Sequence, residues 1–158
     1  MINESLFTSD KQDWQTPQIL FDDLNKEFKF TFDSAATPDN ALCAQFSSNS
    51  LNIQWVGSVF CNPPYGRELP KFIKKAREQG KPDNPVVLLI PARPDTHAWH
   101  DHIFPYAKEI RFIKGRIVFR GAKAGAPFPS AIIVFNGEYP PKITTYIQPK
   151  DRRPEAPL

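Results

Sequence analysis

The fold is decided by Val59-Phe60-Cys61-Asn62-Pro63-Pro64-Tyr65-Gly66, an apolar run that ends in an amide, two prolines, an aromatic ring and a glycine. Proline lacks an N–H, fixes its own φ and pushes the residue before it out of the helical region. We therefore expect a strand that stops at Asn62 and continues as a stiff, extended corner. This corner would hold the Asn62 side chain and the Pro63 carbonyl in fixed positions beside Tyr65.

Two fixed hydrogen-bond acceptors and an aromatic face suit a flat ring that carries an amine, because the acceptors take the amine hydrogens while the aromatic side chain covers the ring. The alternative interpretation of Pro63-Pro64-Tyr65 is a proline-rich turn after a buried strand, or a short polyproline ligand. The apolar strand directly in front of it and the amide at the end of that strand favour a functional site.

The length of 158 residues is that of one domain with a full core. The sequence contains no apolar run of about 18 residues and no basic leader followed by an apolar segment, so neither a membrane span nor a secretory signal is expected. Cys43 and Cys61 form no CxxC pair, and both are predicted to be buried, reduced thiols. These features predict a cytoplasmic protein.

The positive charge of the chain is concentrated after the corner, although the net charge is only +3. Residues 1–60 hold three basic and eight acidic side chains, whereas residues 61–158 hold seventeen basic and nine acidic ones. Such a distribution would attract a polyanion to the corner. A solvated helix face is the other interpretation of the basic run. That run consists of Arg67, Lys71, Lys74, Lys75 and Arg77.

The segment before the corner is predicted to begin with a helix. Thr16 can cap this helix and Pro17 suits its first position, which makes both of them site candidates where a loop enters a helix. The helical spacing is set by Ile19, Leu20, Leu24 and Phe28.

A half-buried strand is predicted next, because residues 28–32 alternate between apolar and polar side chains. Asp33 and the small residues 34–37 close it, and small residues after a strand let the backbone approach a ligand closely. Residues 37–52 are small and polar, and they are predicted to form a loop with one short helical turn.

Beyond the corner, the pattern predicts a basic helix over residues 69–79, with Gly80 as its stop. Residues 86–90 are continuously apolar, which is typical of a strand buried on both faces. Such a strand indicates an α/β fold with a parallel sheet between helices. A further helix is predicted from Asp95 or Thr96 toward Tyr106.

The three histidines of the chain lie together in that helix, close to Asp95 and Asp101. His97 and His100 share a helical face, but His102 does not follow the i, i+4 spacing of metal ligands. We therefore predict no metal site and expect these histidines to face solvent or DNA.

The last third of the chain predicts short strands at 110–113, 117–119 and 131–135. The loop at 120–130 is rich in glycine and basic residues, so it either reaches along a phosphate backbone or forms a flexible hairpin. The proline-rich segment 148–158 is predicted to be a disordered tail.

With these residues in view, the sequence resembles the phage-type DNA N6-adenine methyltransferases, relatives of the Dam group of S-adenosylmethionine-dependent enzymes. The resemblance runs from Trp14 to about Phe135. Asn-Pro-Pro-Tyr alone also occurs in methyltransferases that act on RNA or protein glutamine, but the ordered set of motifs is more specific. This set comprises Trp14-x-Thr16-Pro17, Phe32-Asp33-x-Ala35-Ala36, Asn62-Pro63-Pro64-Tyr65, Leu89-Ile90-Pro91-Ala92, Asp95-Thr96 with Trp99-His100, Gly115-Arg116-Ile117-x-Phe119 and Phe128-Pro129-Ser130.

The resemblance implies a single-domain, Rossmann-like α/β methyltransferase fold over residues 14–147, with a mostly parallel central sheet and a late antiparallel hairpin. A flexible arm at 1–13 and the tail at 148–158 would flank this domain. The implied cofactor is S-adenosylmethionine, and the implied partner is double-stranded DNA with the target adenine flipped out.

The resemblance also implies the roles of individual residues. Asn62 and the Pro63 carbonyl would hold the target amine, Tyr65 would stack on the base, and a second aromatic from the late hairpin would complete the sandwich, with Phe119 the first choice and Phe128 the alternative. The implied catalytic residues are Asn62, Pro63, Pro64 and Tyr65, and the implied cofactor residues are Trp14, Thr16, Pro17, Asp33, Ala35 and Asn49.

Phosphate contacts are predicted in the two basic segments, at Arg67, Lys71, Lys75, Arg116, Arg120 and Lys123. Two alternatives remain open at this point. One is methylation of RNA adenine or protein glutamine by the same corner, and the other is a non-catalytic DNA-binding protein that kept the fold. A phage or prophage origin would place the protein in the host cytoplasm.

Overall fold

The computed structural model of the protein describes residues 14–154, so the predicted arm at 1–13 and the last residues of the predicted tail lie outside the described residues. A seven-stranded sheet runs through residues 14–154 in the order β2-β1-β3-β4-β6-β5-β7. Its strands are β1 Phe32–Asp33, β2 Gln45–Phe46, β3 Val59–Cys61, β4 Val86–Pro91, β5 Glu109–Ile113, β6 Ser130–Phe135 and β7 Lys142–Tyr146.

Strand β6 is antiparallel to both of its neighbours, β4 and β5, and every other neighbouring pair in the sheet is parallel. This arrangement confirms the predicted α/β fold with its mostly parallel sheet and its late antiparallel hairpin. Because β1, β3 and β4 are parallel, Asp33, Cys61 and Pro91 end at the same edge of the sheet. The loop at 114–129 lies at this edge as well, since it joins the end of β5 to the start of the antiparallel β6.

The helices cover both faces of the sheet. Helix α1 (Gln18–Phe28) packs on one face and helix α2 (Leu69–Gln79) packs on the other. All six residues of β4 are buried, and alternate side chains face the two clusters, as the continuous apolar run predicts. Gly80 ends α2 as predicted, and the carbonyl oxygen of Phe135 lies 2.6 Å from where a Cβ would stand, so only glycine fits here.

The predicted strand at 28–32 is wrong, because α1 continues to Phe28. Lys29 then takes a left-handed conformation with φ 51°, and the Asn25 side chain accepts a hydrogen bond from the backbone N–H of Phe30. This helix cap occupies the alternating segment, and β1 starts only at Phe32. The alternation instead places Phe28 and Phe30 in a stack with ring centroids 5.6 Å apart.

The predicted strand at 117–119 is also wrong, since this segment is an extended loop. Strand β5 already pairs with β6 on one side and β7 on the other, so it offers no free edge. Gly115, at φ 77°, turns the chain away from the sheet. Ile117 and Phe119 bury their side chains in the cluster under α1 rather than in a new strand.

The predicted helix at 95–106 is a short helical segment that contains a π-helical turn, Trp99–Ile103, followed by α3 (Phe104–Tyr106). Trp99 packs into the core, with its ring stacked 6.1 Å from that of Phe112. His102 lies 3.1 Å from the Arg77 guanidinium, and burial is the main cause that lowers its pKa. Residues 14–154 contain no group of three or more His, Cys, Asp or Glu side chains that could hold a metal ion.

The segment after β7 returns to α1. Pro149–Asp151 forms one turn of 3-10 helix, and Arg152 makes a bidentate pair with the Asp23 carboxylate at 2.6 and 2.8 Å. The predicted domain bounds at 147 and 148 stay predictions. A short 3-10 turn, Ser50–Asn52, lies in the loop before β3. No helix within residues 14–154 has the length and apolar character needed to cross a membrane.

Candidate active site

A cavity of about 280 Å³ opens at the carboxyl edge of β1 and β3. This edge is where ligands bind in open α/β sheets, because the strand ends and the following loops leave a crevice there. Three short segments supply most of its wall, and single residues from the loop before β3 and from α2 complete it. The wall consists of residues 14–16, 33–37, Asn40, Leu42, Ser48, Phe60, 62–64 and Phe72.

The Asn62 side chain is the most constrained polar group of the site. Its Nδ2 donates to the Trp14 carbonyl oxygen and to Thr16 Oγ1, the latter over 2.9 Å. Its Oδ1 accepts a 2.6 Å hydrogen bond from the Tyr65 hydroxyl. Two acceptors on one side and a donor on the other fix which way the amide points. The corner therefore presents the amide in one orientation, as the two prolines that follow it predict.

Thr16 has a different local role from the one its sequence position suggests. The residue that caps α1 is Pro17, which has extended backbone, and no side chain caps this helix end. Thr16 is buried, and its hydroxyl accepts the Asn62 hydrogen bond instead. A tertiary contact across 46 positions of the chain thus replaces the predicted helix cap.

Tyr65 is buried and lies outside the cavity wall. Its hydroxyl reaches two acceptors, Asn62 Oδ1 at 2.6 Å and the Leu89 carbonyl oxygen at 2.9 Å. Burial raises the pKa of this phenol well above its usual range, so the hydroxyl keeps its proton and stays a donor.

The three rings predicted to stack on a base lie together in one aromatic cluster. Tyr65 meets Phe128 edge-on at 5.6 Å and Phe119 edge-on at 6.4 Å. Trp14 closes the cluster on the cavity side, 5.4 Å from Phe119 and 5.1 Å from Phe128. The structure brings all the predicted aromatic residues together, but the rings touch one another and leave no slot between them.

Asp33 is the only ionisable side chain among the described residues that line the cavity. Its Oδ2 accepts a 3.0 Å bond from the Leu42 N–H, and its Oδ1 accepts a longer one from Ala35. Burial raises the pKa of this carboxyl, while the two N–H groups oppose that shift. The carboxylate therefore orders the loop around it and gives an otherwise neutral cavity a negative charge.

Two predicted cofactor residues are not brought to the cavity. Asn49 is exposed, and its side chain accepts a 2.8 Å hydrogen bond from that of Asn52, whereas its neighbour Ser48 does line the wall. Pro17 serves as the cap of α1 just outside the wall. Thr37 and Asn40 line the cavity but were not predicted to do so, although they belong to the run of small polar residues after Asp33.

The residues predicted to contact DNA divide into two groups. Arg67, Arg116 and Lys123 are exposed in the corner and the 114–129 loop, which share one edge of the sheet. The others have intramolecular partners. Lys71 pairs with Glu68 at 3.2 Å, Lys75 reaches the Leu51 carbonyl at 3.5 Å, and Arg120 turns toward the Thr16 carbonyl at 3.3 and 3.4 Å.

Relatives of this chain are found among phage proteins. A DNA N-6-adenine-methyltransferase of Escherichia phage T1 is 36% identical over 107 residues, which cover 64% of this chain and 44% of that protein. A DNA N-6-adenine-methyltransferase of Haemophilus phage HP1 is 30% identical over 144 residues, which cover 84% of this chain and 83% of that protein. The matched stretch is thus less than half the length of the T1 protein.

A solved structure from Listeria monocytogenes, described as a class I S-adenosylmethionine-dependent methyltransferase, gives a TM-score of 0.44 at 11% identity and covers 66% of this chain and 41% of that chain. The family model described as DNA N-6-adenine-methyltransferase (Dam) matches residues 4–152, nearly the whole chain. The chain therefore belongs to the Dam family of DNA N-6-adenine-methyltransferases.

Proposed function

We propose that this protein transfers a methyl group from S-adenosylmethionine to the exocyclic N6 amine of adenine in DNA. The observation that carries the proposal is the Asn62 amide at the cavity wall, fixed by Trp14, Thr16 and Tyr65. Membership of the Dam family supports the same reaction. The oriented Oδ1 is the acceptor that an amine substrate requires.

The corner would act by stabilising the transition state. An exocyclic amine is a poor nucleophile because its lone pair is delocalised into the ring. Acceptors at Asn62 Oδ1 and the Pro63 carbonyl favour the pyramidal nitrogen that develops during attack, so they bind the transition state more strongly than the ground state. Holding the amine at the cavity wall also supplies proximity to a methyl donor.

The Tyr65 hydroxyl occupies the acceptor that the amine would use. Its second acceptor, the Leu89 carbonyl oxygen, lies 2.9 Å away, so the hydroxyl can remain bonded when the amine replaces it on Asn62 Oδ1. No buried donor is left unsatisfied by that exchange, which keeps its cost low. The tyrosine thus orients the Asn62 amide without blocking the substrate.

The cavity fits S-adenosylmethionine by the chemistry of its wall. Asp33 provides the single negative charge, and Phe60, Phe72 and the prolines of the corner provide apolar surface. A ligand with a cationic sulfonium and a flat adenine ring is favoured by such a wall, because the charge is attracted to the carboxylate and the ring packs on apolar surface. When bound, the cofactor supplies an electrophilic methyl group. Thr16, Asp33, Thr37 and Asn40, which are among the polar residues of the wall, would hold it.

The target base would have to leave the duplex, at a cost of roughly a few kcal/mol. Basic side chains around the site, Arg67, Arg116 and Lys123, would offset that cost through phosphate contacts. The base would also have to separate the rings of Tyr65, Phe119 and Phe128, because they are in contact without it. We therefore propose that base entry opens the aromatic cluster. As the relatives are phage proteins, the place of action would be the cytoplasm of a bacterial host.

A methylation assay with radiolabelled S-adenosylmethionine tests the proposal. The purified protein is given DNA, RNA and protein substrates in parallel, and methylated adenines are then mapped at base resolution after expression in a host without its own adenine methylase. We expect label in DNA adenine alone. Label in RNA or in protein glutamine would establish the alternative substrates, and DNA binding without cofactor binding would establish a non-catalytic protein.

A further inference from the structure

Arg120 joins the loop at 114–129 to the segment that holds the catalytic amide. Its backbone N–H donates to the Gln15 carbonyl oxygen over 2.9 Å. Its guanidinium Nε and Nη2 both donate to the Thr16 carbonyl oxygen, at 3.4 and 3.3 Å. The sequence places this arginine among residues predicted to contact phosphate, yet its side chain is folded onto backbone 104 positions away.

The segment Trp14–Thr16 is held from two sides. On one side the Asn62 amide donates to the Trp14 carbonyl oxygen and to Thr16 Oγ1. On the other side Arg120 binds the carbonyl groups of Gln15 and Thr16. The segment precedes α1 as irregular backbone, without a helix or strand of its own to fix it. Besides the packing of the Trp14 ring on Phe119 and Phe128, the Arg120 hydrogen bonds are therefore the contacts that fix the backbone of this segment on the side away from Asn62.

We propose that Arg120 is a positioning residue for the proposed methyl transfer: it holds the Trp14–Thr16 segment so that the segment orients Asn62 and completes the cofactor wall. This inference rests on the proposed function for its catalytic meaning, but the contacts that carry it belong to the free protein. Arginine suits the role because its planar guanidinium can grip a carbonyl with two N–H groups while keeping its charge.

The exposed side of the same guanidinium links this role to DNA. Nη1 takes no part in the Thr16 contacts, and the residue as a whole is exposed. A phosphate bound there would be neutralised by the same group that holds the Thr16 carbonyl. DNA engagement at the loop would then stiffen the segment that orients Asn62, so the amide would be best ordered when substrate is present.

The test compares Arg120→Gln and Arg120→Lys with Lys114→Gln, which removes one exposed positive charge from the same loop. The first readout is the NMR signal pair of the Asn62 side-chain NH₂ in the protein without DNA or cofactor, which is practical at 18.0 kDa. The second is calorimetric binding of S-adenosylmethionine without DNA. Thermal unfolding of each variant shows that it is folded.

We expect Arg120→Gln to shift or broaden the Asn62 NH₂ signals and to weaken cofactor binding by about tenfold, the size expected from losing one hydrogen bond to a charged group. Arg120→Lys keeps the positive charge and N–H donors on a long side chain, so it should recover part of both. Lys114→Gln should leave both readouts unchanged. Unchanged Asn62 signals in folded Arg120→Gln would overturn the inference. If the wild-type protein bound no S-adenosylmethionine, the proposed function would fail, and the NMR comparison would still decide the role of Arg120.

Discussion

The hydroxyl of Tyr65 donates to Asn62 Oδ1 across 2.6 Å, and it lies 2.9 Å from the Leu89 carbonyl oxygen at the same time. The two side chains of the motif that carries the proposed chemistry are therefore bonded to each other. The bond orders the amide, and it must be exchanged for a bond from the substrate amine.

Tyr65→Phe tests the role of the hydroxyl separately from that of the ring. The variant keeps the aromatic contacts with Phe119 and Phe128 but leaves Asn62 Oδ1 without its donor. We expect methylation to fall by no more than about tenfold, since one hydrogen bond that orients a group is lost. Tyr65→Ala also removes the ring and should lose at least about a hundredfold more. Initial rates at saturating cofactor measure both, and equal rates for the two variants would contradict a stacking role.

Asn62→Ala removes the amide that Trp14, Thr16 and Tyr65 hold in place. The expected loss in turnover is about 10²- to 10³-fold, the usual effect of deleting one preorganised transition-state group. The domain should remain folded, because Tyr65 keeps the Leu89 carbonyl oxygen as its acceptor. Thermal unfolding and single-turnover methylation are measured side by side. Near-normal turnover in this variant would remove Asn62 from the mechanism.

Much of the fold could be predicted from local patterns. The continuous apolar run of β4 and the proline corner after β3 are each patterns of only a few residues. They indicate a buried parallel sheet, and the edge of that sheet where the site lies, without any knowledge of tertiary contacts. The errors arise where local patterns compete. Residues 28–32 alternate like a strand, but Phe28 is the last residue of α1 and Lys29 is its C-cap. Residues 117–119 look like a strand but meet no unpaired neighbour.

The sequence patterns indicate part of the cavity wall, but they also point to Asn49 and Pro17, which lie off it, and they do not indicate how the residues contact one another. Asp33 and the corner reach one edge of the sheet because each follows a parallel strand that ends there, and the 114–129 loop joins β5 to β6 at the same edge. What the chain does not reveal locally is that Thr16 accepts from Asn62, or that Arg120 turns inward to the Thr16 carbonyl. These bonds join positions 46 and 104 residues apart, and only the packed sheet brings them together.

Asp33 should make cofactor binding depend on pH. Burial raises the pKa of this carboxyl, so its charge is lost at a higher pH than that of an ordinary aspartate. As the pH falls through that raised pKa, the cavity loses its negative charge and its attraction for a cationic ligand. We expect affinity for S-adenosylmethionine to fall on acidification in the wild type, and to be about tenfold weaker and flat with pH in Asp33→Asn. Calorimetry from neutral to acidic pH measures the affinity of both proteins. Plots of affinity against pH that run parallel for the wild type and Asp33→Asn would contradict this prediction.

The pair between Asp23 and Arg152 should also make stability depend on pH, here through a pKa shift of the opposite sign. The hydrogen bonds from Arg152 are the main cause that lowers the pKa of Asp23 below 3.8. A carboxyl with a lowered pKa stabilises the fold above its unfolded-state pKa and loses that contribution as the pH falls through the folded-state pKa. Arg152→Ala should therefore lower the melting temperature at neutral pH and have a smaller effect near pH 3. If the melting temperatures of the wild type and Arg152→Ala differed by the same amount at every pH in this range, the Asp23–Arg152 pair would not be the cause of the pH dependence.

The salt dependence of DNA binding distinguishes side chains that contact phosphate from basic side chains that are held by the protein itself. Arg67 is exposed directly after the corner, whereas Lys75 is partly buried and its ammonium group is turned to the Leu51 carbonyl. Each phosphate contact that is lost reduces the slope of log affinity against log salt by about one. Arg67→Gln should weaken DNA binding and reduce this slope by about one, while Lys75→Gln, a matched change of charge, should leave the slope unchanged. Titration of fluorescent duplex DNA at several salt concentrations measures both slopes. If only Lys75→Gln reduced the slope, the DNA would lie along α2 rather than at the corner. The Lys75 ammonium group would then have exchanged its hydrogen bond to the Leu51 carbonyl for a phosphate contact.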